Sequence, residues 1–303
     1  MSLLSPTQKP VKVYRSTDVG APALDKSANC VANILKACLV TGYGSKLGAG
    51  WTLAFEDMAT KSKVLRLNNT TNVPLFLRVY NDTGSTMGVQ LVKDPVSANS
   101  ATKILECSTV FKYLGNLTTG SWAVIAHDTG FWFFAEYLAS GKLANRSGAF
   151  LFAAIVPATQ SEGFVLHHTG GSYSDGDNDR HSIALKKDEF FLGDPNVIVN
   201  EGGLVAPMVY NLSSDTVSSK SYERLAAGAS NQSPVAISTP LHIIGSDDIY
   251  QMPVFIPSRN DLNNFALVDS TNSQPMMNFC TSGQYKPTDK GANAYIPTEY
   301  WEV

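Results

Sequence analysis

Residues 122–134 read WAVIAHDTGFWFF. Two apolar runs flank Asp128, Thr129 and Gly130, a trio suited to a tight turn, so the stretch predicts a β-hairpin. Successive strand residues point to opposite faces, which divides Trp122, Phe131, Trp132, Phe133 and Phe134 between two surfaces. One surface is expected to pack in the core and the other to meet a neighbouring subunit, with Trp132 as an interface candidate.

Behind the hairpin, residues 139–148 (ASGKLANRSG) read as a long turn or a domain seam. AFLFAAIVPA from Ala149 then reads as a fully buried strand without polar alternation. Buried strands on both sides favour one continuing sheet over a seam. Upstream, KVLRL, VPLFLRVY, MGVQLV and TVFKYL are short β-like runs, most of them bounded by Gly, Asn, Asp or Pro, and GGLVAPMVYNL adds a strand downstream. Residues 170–180 and 213–234 are polar and poor in large apolar side chains. They predict exposed loops, with 211–234 an insertion or long loop.

Between Leu24 and Val40, the residues Val31, Ile34, Leu35, Cys38 and Leu39 fall at i, i+3, i+4, i+7 and i+8, one stripe of an amphipathic helix. Asp25 or Ser27 is placed to cap its start and Gly42 its end. CLVTGYGSKLGAGW, residues 38–51, then sets Gly42, Gly44, Gly48 and Gly50 around Lys46. A phosphate loop needs the glycines before a helix, whose N-terminal amides face the anion. Here the helix comes first and turns its carbonyl end to the loop, so the stretch predicts a helix stop, a reversal and a strand beginning at Trp51.

One early helix followed by many strands gives an α+β class, predominantly β, with that helix packed on antiparallel sheets. Pro6 and Pro10 favour an extended N-terminal arm over residues 1–20, leading into a single large β-rich domain over 21–303. The arm is expected to reach a neighbour, with Val13 and Tyr14 as interface candidates.

Composition narrows the function classes. At 303 residues the chain can bury a sizeable core. Its charged fraction of 16% lies below the ~25% usual for soluble proteins, and such a surface suits repeated subunit packing or sugar binding. Lys and Arg number 23 against 26 acidic residues with no basic block, which argues against a nucleic-acid partner. The longest apolar run is about half the ~20 residues of a spanning helix, and the N-terminus has no signal-like apolar core, so no membrane partner is expected. Cys30, Cys38, Cys107 and Cys280 are scattered without metal-ligand spacing and read as reduced, mostly buried thiols.

Asp175, Asp177 and Asp179 resemble the opening of a calcium loop, but Arg180 and Lys186 stand where that loop needs Gly and Glu. With His181 beside them, these aspartates are where a metal would sit. A solvated loop tip is the preferred reading, His167 and His168 are read as ordinary sheet or interface histidines, and no metal or cofactor is expected. No G-x-S-x-G elbow or cysteine signature occurs, so no catalytic residue is assigned. A glycan-cleaving alternative would use distant carboxylates together with the hairpin aromatics.

VYRSTDVGAPAL from Val13, LKACLVTGYGSKLGAGWTLAF from Leu35, KVLRL, and LFLRVYND from Leu75 together resemble the N-terminal pattern of an uncharacterised group of virion structural proteins of tailed bacteriophages. The matching residues are Ser16, Asp18, Gly20, Ala21, Pro22, Ala37 to Val40, Gly42 to Gly44, Ala49 to Thr52, Arg78 and Val79. WAVIAHDTGFWFF, EGGLVAPMVY and MPVFIPSRN resemble later segments of that pattern more faintly. Asn81 and Asp82 stand where the family often carries paired acidic residues, and 213–233 has no counterpart. The resemblance implies a non-enzymatic particle component, made in the bacterial cytoplasm and located in the virion, with other copies of itself and other virion proteins as partners. Tail, neck or baseplate is the expected place. A capsid-exterior decoration protein, or a tail protein that binds or depolymerises a host surface glycan, is the alternative.

Overall fold

The hairpin read first in the sequence lies at the heart of the molecule. Trp122–His127 and Gly130–Glu136 pair antiparallel across a turn at Asp128 and Thr129, with Val124 opposite Phe133 and Ile125 opposite Trp132. The computed structural model describes residues 7–69, 74–83, 86–111, 119–136, 148–158, 162–168, 208–211, 216–219, 221–224, 238–244, 249–257, 265–268, 274–280 and 293–302.

Around the hairpin runs a seven-stranded central sheet, in spatial order Thr216–Ser219, Met208–Asn211, Glu162–His168, Gly148–Pro157, Gly130–Glu136, Trp122–His127 and Lys12–Arg15. Glu136 pairs with Gly148, so the sheet continues across the segment read as a turn or seam, most of which lies outside the described residues. Leu151 to Val156 are buried throughout, as the absence of polar alternation predicts for a strand covered on both faces.

Alternation separates two hydrophobic clusters across this sheet. On one face Trp122, Val124, Phe131, Phe133, Leu151 and Phe164 pack with Leu65, Leu77, Val89 and Leu91. These last belong to a five-stranded meander of Thr52–Asp57, Ser62–Arg66, Phe76–Tyr80, Thr86–Ser97 and Ser100–Phe111. On the other face Ile125, Trp132, Phe134, Phe152 and Val165 pack with Tyr250, Met252, Met277, Phe279 and Ile296. Those come from a third sheet of six strands, in the order Ser221–Arg224, Ser238–Ile244, Ile249–Pro257, Asn293–Pro297, Met276–Cys280 and Leu267–Val268. The fold is α+β and predominantly β, a stack of three antiparallel sheets.

This layering corrects three expectations. Trp132 is fully buried, because the chain's own third sheet covers the face that was assigned to a neighbouring subunit. The segment expected as an arm pairs within the chain: Gln8–Pro10 with Tyr300–Glu302, and Lys12–Arg15 with Trp122–His127. Tyr14 is fully buried opposite Val124 and is not free to meet a neighbour, while half-buried Val13 packs against the second cluster. Residues 216–219 and 221–224, inside the segment expected as a loop, form edge strands of two different sheets.

The helix is Cys30–Lys36, continued by a wider π turn over Ala37–Thr41. Val31, Ile34, Leu35, Cys38 and Leu39 are all buried, as the stripe predicts. Leu24–Asp25, where the helix start was expected, pair instead with Thr119–Gly120 as a short strand. Asp25 accepts the Ser27 amide, 2.8 Å away, within that approach rather than capping the helix. The cap comes from far away: fully buried Asp82 accepts the Ala32 amide through Oδ2, at 2.8 Å, and the Asn29 amide through its carbonyl, at 2.8 Å. At the other end Lys36 donates to Glu56 Oε2, 2.6 Å away, and Glu56 Oε1 lies 2.6 Å from the ammonium of Lys63. That pair of contacts joins the helix to the meander.

Candidate functional site

Two clusters of polar chemistry stand out among the described residues, and the first is the glycine-rich corner after the helix. Gly42 ends the π turn by donating its amide to the Ala37 carbonyl, 2.8 Å away. Its φ of 75° is left-handed, and a Cβ there would lie 2.1 Å from the Lys46 carbonyl oxygen. Only glycine fits without displacing backbone. Tyr43 and Lys46 then close a tight reversal by exchanging backbone bonds of 3.0 and 2.9 Å. The returning amides of Ala49, Gly50 and Trp51 donate to the carbonyls of Cys38 and Leu39 at 2.9 to 3.1 Å. The loop therefore satisfies the orphan carbonyl end of the helix, and these three amides face the helix rather than an anion.

Lys46, the would-be phosphate ligand, donates to Asp18 Oδ2 at 2.6 Å and to the Val13 carbonyl at 2.7 Å. The same carboxylate oxygen accepts the Arg15 amide at 2.7 Å and the Tyr43 hydroxyl at 2.8 Å. Partial burial works against ionisation of Asp18, and the bonds from Lys46, Arg15 and Tyr43 outweigh it, holding the carboxyl below its ordinary range. Burial pushes the Tyr43 hydroxyl and the Cys38 thiol well above theirs, so both stay protonated. Tyr14 donates to the Leu47 carbonyl at 2.7 Å and Lys12 to that of Gly48 at 2.6 Å. The corner is a fastener between the helix end and the edge strand of the central sheet. We expect Gly42→Ala to cost about 1–3 kcal/mol of stability, read as a lowered denaturation midpoint. An unchanged midpoint would show that the backbone there relaxes freely.

The second cluster lies at the turn of the central hairpin. Lys9, on the first strand, forms an ion pair with Asp128 and donates to Thr129 Oγ1, 3.2 Å away. Asn68 donates its side-chain amide to Asp128 Oδ2 at 3.0 Å and its backbone amide to the Asp128 carbonyl at 2.9 Å. His127 is 3% exposed. Its Nδ1 accepts the Thr129 amide at 3.1 Å, which leaves the ring proton of the neutral form on Nε2. Nε2 is buried and has no hydrogen-bond partner among the described residues. Trp301, on the last strand, meets the imidazole at 4.8 Å between ring centres, inclined at 78°. Burial lowers the His127 pKa, Asp128 opposes that shift, and Lys9 adds to it. For Asp128, burial works against ionisation, and the imidazole, Lys9 and Asn68 outweigh it, so the carboxyl stays well below its ordinary range.

Thr129 Oγ1 is the hydroxyl within reach of the imidazole, 3.2 Å from Nδ1. It shares that nitrogen with its own backbone amide, and Asp128 Oδ1 lies 3.7 Å from the same atom. A nucleophile–base–acid relay needs the hydroxyl and the carboxylate on opposite ring nitrogens. The arrangement instead joins the first strand, the last strand and the hairpin turn.

The residues singled out for metal binding, Asp175, Asp177, Asp179 and His181, lie outside the described residues. Among the described residues, no group of three or more His, Cys, Asp or Glu could hold a metal ion, and no helix is long and apolar enough to cross a membrane. His167 is buried in the central sheet opposite Phe152. Cys30 and Cys38 are buried thiols that form no disulfide. The hairpin aromatics, candidates for a sugar platform, are enclosed between the sheets. Lys9, Asn68 and Trp301 escaped the sequence reading because no local pattern marks them. Lys9 and Thr129 stand 120 positions apart in the chain.

No family model matches the chain, and no curated protein and no solved structure matches it.

Proposed function

We propose that the protein is a non-enzymatic structural subunit of a tailed-phage particle, in the tail, neck or baseplate, which associates with copies of itself and with other virion proteins. The observation that carries this reading is what becomes of the residues on which the family resemblance rests. Asp18, Gly42 and Trp51 are all spent on internal fastening: Asp18 on Lys46, the glycine on a helix stop, and the Trp51 indole on the His127 carbonyl at 2.8 Å. A pattern kept for geometry suits a subunit whose task is to hold a shape. The low charge density of the chain supports repeated packing in an assembly. Val19 and Leu47, 90% and 76% exposed beside the corner glycines, offer apolar contact to a neighbouring copy in place of the buried Tyr14 and Trp132.

Antibody labelling of intact particles in electron micrographs tests the proposal. Label at a fixed, repeated position on tail, neck or baseplate is the expected result. Particles that carry no label while infected cells contain the protein would refute it. Label over the capsid surface would favour the decoration reading. The glycan-cleaving reading loses its aromatic platform to the interior, and a release assay on host capsule or lipopolysaccharide that stays blank is expected.

A further inference from the structure

The hairpin-turn cluster contains a titratable group that no internal fastening requires to be titratable. His127 is buried where three separate parts of the chain meet: the turn itself, the first strand through Lys9, and the last strand through Trp301. Among the described residues, the charged groups facing it are Lys9 from the first strand and Asp128 from its own turn. Trp301 brings a ring without charge, and Trp51 takes only the His127 backbone carbonyl.

We propose that His127 is a proton-operated latch: protonation of its imidazole releases the paired strands Gln8–Pro10 and Tyr300–Glu302 from the central hairpin. A second proton must go to Nδ1, the nitrogen that accepts the Thr129 amide. Donor then faces donor, and the buried amide loses its acceptor. The new imidazolium is drawn to Asp128 Oδ1, 3.7 Å away, the oxygen that holds Lys9. Two cations compete for one carboxylate, and the ion pair that ties the first strand to the turn weakens. Because the folded state holds the imidazole below its ordinary range, it resists the proton more than the released chain does. The latch is therefore closed above the ordinary histidine range and opens as pH falls through the lowered folded value.

Amide exchange on the whole protein tests this, read at Val11, whose amide donates to the Glu299 carbonyl at 2.9 Å. Between about pH 7.5 and about pH 5, after correction for intrinsic rates, protection at Val11 is expected to fall about tenfold or more while Val124 and Phe133 stay protected. The fall should share its midpoint with the His127 ring resonance, and that midpoint should lie below about 6.5. In His127→Phe, protection at Val11 should be flat over the same range. The proposal fails if Val11 protection holds while His127 titrates, or if it rises, as stabilisation of the imidazolium by Trp301 would produce. It also fails if the two midpoints differ or if the phenylalanine variant still releases the strands. Should that variant not fold, the two wild-type midpoints alone decide.

Discussion

Replacing Trp132 by alanine is expected to lower the unfolding free energy of the protein by about 3–5 kcal/mol. The indole is fully buried, lies 4.3 Å from the Phe152 ring and 5.4 Å from that of Phe134, and fills the space between the central and third sheets. Truncation there opens a cavity bounded by two sheets, whose backbones are held by their own ladders and collapse little. Denaturant unfolding of the protein measures the loss directly, as a drop in midpoint with an unchanged slope. A loss below about 1 kcal/mol, within the ordinary range of surface changes, together with impaired self-association would return Trp132 to the interface.

Glu56→Gln is expected to cost less, about 1–3 kcal/mol, by a different route. Lys63 has no exposed side-chain surface, and its ammonium rests between Glu56 Oε1 at 2.6 Å and the Met58 sulfur at 3.3 Å. Removing the carboxylate charge leaves the buried Lys63 cation without its counter-ion and also weakens the tie of Lys36, at the helix end, to the meander. Adding Lys63→Met to the variant should recover much of the loss, because the stranded charge goes with it. The pH dependence follows from the bonds from Lys36 and Lys63, which hold the Glu56 carboxyl below its ordinary range. A carboxyl with a lowered folded pKa adds stability above its unfolded pKa, and that stability is lost as pH falls through the folded value. The gap between wild type and Glu56→Gln should therefore be widest near neutrality and narrow in acid. A gap that stays constant from about pH 7 to about pH 3 would remove the charge from the explanation.

The local elements were legible where local physics decides them. The hairpin turn at Asp128 and Thr129, the buried strand after Ala149, the buried stripe from Val31 to Leu39 and the helix stop at Gly42 follow from side-chain period, turn residues and glycine conformation. What a sequence period cannot say is who covers a face. The alternation of Phe131 to Phe134 demands two apolar partners, and nothing local tells a third sheet contributed by residues 221–302 from a neighbouring subunit. The same ambiguity misplaced the arm: extension was legible from its prolines, but its partners, Trp122–His127 and Tyr300–Glu302, are remote in the chain. The helix start was misread for the same reason, since its cap, Asp82, lies 50 positions from the amide it accepts. Both polar clusters of the candidate site show this split. The glycines were visible as a corner, whereas Asp18 as the anchor of Lys46, and Lys9 as the partner of Asp128, are products of tertiary structure.

Gln8 stands opposite Glu302, and the Trp122 amide binds the hydroxyl of Ser16 from 106 positions away. On a ribosome adding ~5–20 residues per second, the first strand waits about 15–60 s for the strand that completes it. Until then one edge of the nascent central sheet rests on an unanchored ribbon. Closure over so long a span is slow. The newborn chain thus passes through a period in which it is nearly folded yet not fastened, and in which an unrelated strand could take the vacant place.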